Sequence, residues 1–285
     1  MLKRMYKIVT FSTMFLLSSV CMAHSPLEKN VVDVLKSESF FIQYELINVN
    51  TDAHEAAQQY YKENSNIVTV AKLGKDKLTV TDSYKKGKLV QSIGFLSQNG
   101  VDYAISVMGK RCYSDVGLTN FKNASVVPSN SVTQVFDANL FSFKYHFLPF
   151  IPEENKAVGV LDGRESTMNI CNVYQKDGKV TVAGKVLDYV DYKTADDMQI
   201  VSKGRYYFDN GKLVNYVRID KDSVVEIEPE MQALVGTDKV NFGGYAKVKV
   251  LTFFKDVNPN LFILPKSVKV YKPKGVDNIS NQDFY

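Results

Sequence analysis

The sequence predicts a mostly β chain of the α+β class: a large antiparallel sheet with an N-terminal helix and a few short helices. Three observations carry this. Tyr and Phe are abundant, at 17 each, and Trp is absent; aromatic and β-branched residues at such density favour pleated, half-buried strands. Strand-like runs follow one another through short joints, which implies neighbouring antiparallel strands. The pairs Asn99-Gly100, Asp177-Gly178 and Asn210-Gly211 fall between such runs, and both residues of such a pair tolerate the positive φ of a tight hairpin turn.

The chain begins MLKRMYK, with Lys3, Arg4 and Lys7 and no acidic residue. An uncharged, mostly apolar segment spans Ile8 to Val20, shorter than the roughly 20 apolar residues of a membrane span. Cys21, Met22 and Ala23 follow. This order is that of a secretory signal peptide, and the small residues Cys21 and Ala23 suit cleavage before His24. Two other readings stand beside it. One is acylation of Cys21, although Ser18 and branched Val20 fit a lipobox poorly; the other is an uncleaved anchor. Cleavage fits best. Residues 1–23 are then the signal. Residues 24–285 form one extracytoplasmic β-rich domain, periplasmic or secreted and soluble, with a polar tail from about residue 272.

Cleavage changes the charge. The full chain has 35 Lys and Arg against 31 Asp and Glu. Loss of three cations leaves 32 against 31, so the composition requires no basic face and does not point to nucleic acid. No later apolar run is long enough for a span. Cys112 and Cys171 remain. An even count in an exported chain reads as one disulfide. It would close a loop of about 60 residues, for roughly 4 kcal/mol in the chain-entropy account. Two separate buried thiols are the alternative.

SPLEKNVVDVLKS reads as a helix, with Ser25 as cap, Pro26 in the first turn, and Val31, Val32 and Leu35 on one face. SFFIQYELINV changes period. Phe40, Ile42, Tyr44 and Leu46 alternate with Phe41, Gln43 and Glu45, a strand with one wetter face. TDAHEAAQQYYKEN returns to helix, with Asp52 and Glu55 as a capping-box pair. From Asn66 to Val116 five strand-like runs form a meander. Residues 117–155 break this rhythm and hold Phe136, Phe141, Phe143, Tyr145, Phe147 and Phe150. A helix over 131–140 and a strand over 140–148 both fit. Strands resume after Gly163 and continue to Tyr271, apart from a short helix or loop near 228–238.

Chemistry is sparse. His24, His54 and His146 are the histidines, and each reads more simply as solvated or packed than as a ligand or base. No H-E-x-x-H, nucleophile elbow, phosphate-binding glycine loop or C-x-x-C occurs. Asp188, Asp191, Asp196 and Asp197 lack the spacing and turn glycine of a calcium loop. No catalytic residue, metal site or cofactor is expected, and the chain is not read as an enzyme.

The order of features, with SFFIQYEL early and GRYYFDNGKLVNYVRI and NLFILPKSVKVY near the end, resembles the bacterial outer-membrane lipoprotein carrier-like superfamily over roughly residues 27 to 271. That resemblance implies a strongly curved open sheet or half-open barrel, closed by helices around an apolar cavity that binds acyl chains. It transfers no individual binding residue. This chain is longer than the carriers, and its aromatic segment has no counterpart in them. Phe136, Phe141, Phe143, Tyr145, Phe147 and Phe150 are therefore candidates to line or cover such a cavity, with a filled core as the alternative.

Three classes of function follow: an extracytoplasmic binding or carrier protein for a lipid or other apolar ligand; an envelope or secreted interaction protein without a small ligand; and an enzyme with scattered, unrecognised residues. The first is favoured, with a lipid or acylated molecule, or an envelope protein, as partner. N-terminal sequencing of the exported protein is expected to begin at His24. An acylated Cys21 at the terminus would overturn both the cleavage and the soluble state.

Overall fold

The computed structural model describes residues 26–49, 59–60, 62–145, 156–161, 164–196, 201–220, 224–226, 239–241 and 244–273. The expected signal, the capping pair Asp52 and Glu55, all three histidines and the tail beyond 273 lie outside these residues.

One curved 13-stranded sheet organises the chain. Helix α1 (Pro26–Leu35) leads into β1 (Ser39–Val49), and a meander follows: β2 (Asn64–Leu73), β3 (Asp76–Lys85), β4 (Lys88–Gln98) and β5 (Val101–Met108). The Asn99-Gly100 turn between β4 and β5 has φ of 51° and 78°, the positive values its sequence promised. After the short hairpin β6 (Tyr113–Ser114) and β7 (Gly117–Leu118) come β8 (Asn123–Val126) and helix α2 (Ser131–Tyr145). A second meander runs through β9 (Lys156–Leu161), β10 (Arg164–Val182), β11 (Lys185–Asp196), β12 (Val201–Asp209) and β13 (Lys212–Asp220). The small ribbon of β14 (Val224–Glu226) and β15 (Lys239–Asn241) precedes β16 (Gly244–Phe254), and β17 (Lys269–Tyr271) closes the chain.

The spatial order is β17-β8-β5-β4-β3-β2-β1-β16-β13-β12-β11-β10-β9. β1 is the seam. It pairs antiparallel with β2 on one side and with the late strand β16 on the other, so the two meanders form a single sheet. Only β17 and β8 run parallel among the described pairs. The terminal strands β17 and β9 do not pair with each other, so the sheet stays open.

Both faces carry a core. On the inner face, Val31, Val34 and Leu35 of α1 join Phe136 and Phe143 of α2 over Phe40, Ile42 and Tyr44 of β1. Phe136 packs 6.3 Å from Phe40, centroid to centroid, and Phe143 packs 5.1 Å from Tyr44 and 5.9 Å from Phe253. On the outer face, Phe41, Leu78, Leu96 and Ile105 lie under Tyr113, Leu118 and the 3-10 turn Pro259–Phe262. The expectation of a wetter face on β1 therefore fails from Phe40 to Tyr44. Phe41 and Gln43 are as buried as their neighbours because the 111–118 hairpin and the 3-10 turn cover them.

Residues 131–145 are helical to Tyr145, so the strand over 140–148 does not form within the described part. Buried Val132, Phe136 and Phe143, with half-buried Leu140, recur at helical spacing. That stripe outweighs the alternation of 141, 143 and 145. The helix start is held from a distance. Val132 N–H donates to Oδ2 of buried Asp102 on β5 at 3.1 Å, placing a carboxylate at the unsatisfied donors of the first turn.

The Asp177-Gly178 turn also needs correction. β10 runs straight through this pair, and the hairpin turns instead at Ala183 and Gly184, with φ of 49° and 78°. Gly178 serves as a landing for a ring: a Cβ there would come within 3.1 Å of the Tyr189 hydroxyl. A register shift at Gln175 and the exposed Lys176 and Lys179 lie along the same strand, devices that discourage edge-to-edge pairing.

Phe143→Ala is expected to destabilise the fold by about 3–5 kcal/mol, as for buried aromatics generally. Phe141→Ala, at a position 42% exposed, should cost under about 1 kcal/mol. Urea denaturation of the two variants checks the contrast.

Candidate functional site

The inner face is not filled along its whole length. Where the second half of α2 passes the ends of β1, β2 and β3, a pocket of about 690 Å3 remains. Its apolar walls are Tyr44, Leu46, Val68 and Val90. Asn139 and Ser142 face it from the helix, and Asn66 and Ser83 from the sheet. Tyr60, Lys62 and Glu63, just before β2, and Tyr84, near the end of β3, stand around it.

Two of its groups are already committed. The Tyr44 hydroxyl donates to the Asn139 carbonyl at 2.8 Å, and burial pushes its pKa up to about 12. Asn139 Nδ2 donates to Thr79 Oγ1 at 2.8 Å. Helix and sheet are therefore tied together by partly buried hydrogen bonds at the pocket wall. At the rim, Glu63 accepts from Gln59 Nε2 at 2.7 Å and lies 3.6 Å from Lys86 Nζ; the Gln59 bond and the lysine hold its carboxyl below the usual range.

The sequence candidates separate. Phe136 and Phe143 are buried in the inner core, and neither is among the residues lining the pocket; Phe141 is partly exposed. Tyr145 is the last residue of α2, while Phe147 and Phe150 lie outside the described residues. The residues that do line the pocket carried no signal in the sequence. Asn66, Ser83 and Asn139 read as ordinary polar positions, and only a strand register and a helix position bring them to one space.

A second polar assembly lies on the outer face. Gln43 Nε2 donates to Thr69 Oγ1 at 3.2 Å and to the Tyr113 hydroxyl at 2.5 Å, and those two oxygens are 2.7 Å apart. Beside them the Asp82 side chain is fully buried. Arg111 Nε lies 3.0 Å from Asp82 Oδ2, and Arg111 Nη2 donates to the Tyr84 hydroxyl at 2.9 Å. Neither Asp82 oxygen meets a well-directed donor. Burial consequently pushes the Asp82 carboxyl up, against the opposing pull of Ser92 and Arg111. The arrangement fastens the 111–118 hairpin to the sheet. The pair is buried at its Asp82 end, so removing Arg111 would leave a buried carboxyl without its cation.

Cys112 belongs to this assembly and is a free thiol, so the expected Cys112–Cys171 disulfide is absent. Its N–H donates to Ser92 Oγ at 3.1 Å, and its sulfur fills the space that a side chain on Gly94 of β4 would need. Cys171 sits on β10, opposite Ala195. Seven strands separate β4 from β10 in the sheet order. Burial pushes the Cys112 thiol up to about 11, which leaves it little thiolate for exchange. The expected solvated aspartates are instead partly paired: Arg205 grips Asp191 with two bonds of 2.7 and 2.8 Å, and Lys179 lies 3.9 Å from Asp188. Among the described residues no group of three His, Cys, Asp or Glu is placed to hold a metal.

The raised Asp82 carboxyl has a definite sign. The folded chain holds this proton more tightly than the unfolded chain, so the stabilisation is fully present below the unfolded value and is lost as pH rises through the folded one. Asp82→Asn should flatten the dependence of stability on pH. Arg111→Met should cost about 3 kcal/mol near neutrality and less in acid, and the double variant should recover most of that loss. Urea melts across pH 3–8 read all three.

No protein-family model matches the chain, and no curated protein does. Among solved structures, the chain is similar to one from Vibrio parahaemolyticus named for an outer membrane lipoprotein-sorting protein domain. The identity is 11% over 79% of this chain and 88% of that one, with a TM-score of 0.19. That score is too low for the likeness to bear on fold or function. No helix among the described residues is long and apolar enough to cross a membrane.

Proposed function

We propose that the protein is a non-catalytic extracytoplasmic carrier or binding protein for a lipid or other ligand with an apolar part, and that the open-end pocket is its site. The observation that carries this is the gap left between α2 and the sheet. Phe136 and Phe143 close the inner face over Phe40 and Tyr44, but beside Tyr44, Leu46 and Val68 about 690 Å3 stays open. That volume is within the ordinary range for small-molecule pockets, about 300–1,000 Å3. Export rests on the basic, apolar and small-residue order of residues 1–23. The ligand here is amphipathic rather than wholly apolar, because polar side chains share the lining with the apolar ones.

A second reading has its own observation. Leu251 and Phe254 of β16 are 38% and 42% exposed on the sheet surface, Phe254 stacked 5.2 Å from Phe41. Exposed apolar groups of this kind suit a protein partner.

The test is native mass spectrometry of the purified mature chain, together with titration of the apolar dye N-phenyl-1-naphthylamine. Co-purified lipid and saturable dye binding are expected. Asn66→Trp, a pocket-filling change at an exposed strand position, should weaken dye binding roughly tenfold, about 1.4 kcal/mol, without lowering the melting temperature. Absence of both lipid and dye binding would remove the carrier reading and leave the interaction surface.

A further inference from the structure

The outer face of the second meander gathers like charges. Strand pairing sets Lys193 of β11 directly opposite Lys203 of β12. In the next row Lys176 of β10, Asp191 of β11 and Arg205 of β12 stand side by side. Val190, Tyr192 and Tyr206, at the intervening positions, are buried in the inner core, so these five side chains leave the opposite face. A pocket of about 480 Å3 opens there, with Lys176, Asp191, Lys203, Arg205 and Tyr207 among its walls.

The charges do not cancel. In these two rows four cations face one carboxylate, and that carboxylate is already taken: Arg205 binds Asp191 with two bonds of 2.7 and 2.8 Å and lies 4.3 Å from the centre of the Tyr189 ring. Lys176, Lys193 and Lys203 have no hydrogen bond or ion pair among the described residues. The other nearby acids belong elsewhere. Asp177 pairs with Val190 and Asp188 with Phe208, which places both on the inner side, and Asp209 is bound by Lys185. Val173, the other register partner of Lys193, and Ile219, that of Lys203, carry no charge. Like charges directly opposite in a ladder repel, with Cβ atoms about 5 Å apart. Protection of an open sheet edge accounts for a lysine such as Lys176. It does not account for Lys193 and Lys203, whose strands are paired on both sides.

An anion seated among the three lysines removes the repulsion, and the donors select its shape. A planar carboxylate suits the fork of an arginine, and Arg205 already holds one. Three ammonium groups are compact point charges with rotatable donors, suited to the several oxygens of a tetrahedral phosphate. We propose that the outer face of the second meander is a phosphate-binding site, with Lys176, Lys193 and Lys203 donating to the phosphate oxygens. It is separate from the pocket beside α2 and does not rest on the carrier reading. A soluble phosphate ester and the phosphate of a lipid head group offer the same chemistry.

Calorimetry and thermal melts of the purified mature chain test this in low-salt buffer, where exposed charges are least screened. Glycerol 3-phosphate is expected to bind saturably and to raise the melting temperature more than acetate or chloride at matched ionic strength. Lys193→Gln/Lys203→Gln should weaken glycerol 3-phosphate about tenfold through loss of charge-assisted bonds. The same variant should melt no lower than the unsubstituted chain when phosphate is absent, because the opposed charges are gone. Lys185→Gln removes a lysine that is bound to Asp209 instead, and it should bind glycerol 3-phosphate as the unsubstituted chain does. Flotation with phosphatidylcholine vesicles, with and without phosphatidylglycerol, assigns the source. Binding that needs phosphatidylglycerol and is lost in the double variant puts the phosphate on a lipid; binding of glycerol 3-phosphate without vesicle binding makes it a soluble ester. Equal effects of glycerol 3-phosphate, acetate and chloride on melting would overturn the site, as would equal phosphate binding by the double variant or no binding of either phosphate probe.

Discussion

The fold depends on β1 being enclosed from four sides. Its two edges are paired, with β2 and β16, and from Phe40 to Tyr44 both of its faces are buried. A strand so placed needs every backbone group bonded in the sheet and every side chain matched to a covering element. That requirement links distant parts of the chain. The inner covering comes from α1 and α2, and the outer covering from the 111–118 hairpin and the Pro259–Phe262 turn. The first strand of the molecule is therefore complete only when its late strand β16 has been added. Such long-range closure is slow to reach in folding, because the loop entropy precedes the contacts that offset it.

The two coverings differ in how they are attached, and the difference places the site. On the outer side, the hairpin is fixed by a buried network of Gln43, Thr69 and Tyr113 and by the Asp82 and Arg111 pair. Polar groups sunk in a core specify one arrangement of the parts they join, since a shifted hairpin would leave them unsatisfied. Cys112 adds its bulk over Gly94. On the inner side, α2 rests on ring contacts, with Asp102 at its start and the Tyr44 bond to Asn139 further along. Ring contacts hold Phe136 and Phe143 but leave the far end of the inner face to the pocket. A clamped outer covering and a partly open inner face thus lie on opposite sides of β1, the inner helix being held by rings and by the Tyr44 and Asn139 bonds.

The meanders were legible because each strand carries a period of two and several joints carry a turn pair that admits positive φ; Asn99-Gly100 and Asn210-Gly211 fold as read. Asp177-Gly178 looked the same and was not a turn, because a glycine under the Tyr189 ring satisfies a packing demand invisible in one dimension. The aromatic segment was ambiguous for a related reason. Aromatic residues at 141, 143 and 145 mimic a strand, and only the buried stripe at 132, 136 and 143 marks the helix. The even cysteine count suggested a bond that strand order forbids, since parity says nothing about distance. The pocket was the least legible part. Asn66, Ser83 and Asn139 are polar residues on three different elements, and their nearness follows from register and helix placement alone.

The polar floor and apolar wall of the pocket belong to one row of the sheet. Val68 and Asn66 are two positions apart on β2, so a single ligand spans both only if its apolar and polar parts are joined within roughly 7 Å. A pocket built on strands holds that spacing rigidly, because neighbouring strands fix it from both sides. The α2 wall is fixed as well, through the bonds of Asn139 to Tyr44 and Thr79. On the carrier reading proposed above, selectivity would come from preorganised position rather than from closure around the ligand, and a ligand whose polar group sits farther from its apolar part would leave either Asn66 or Val68 uncovered.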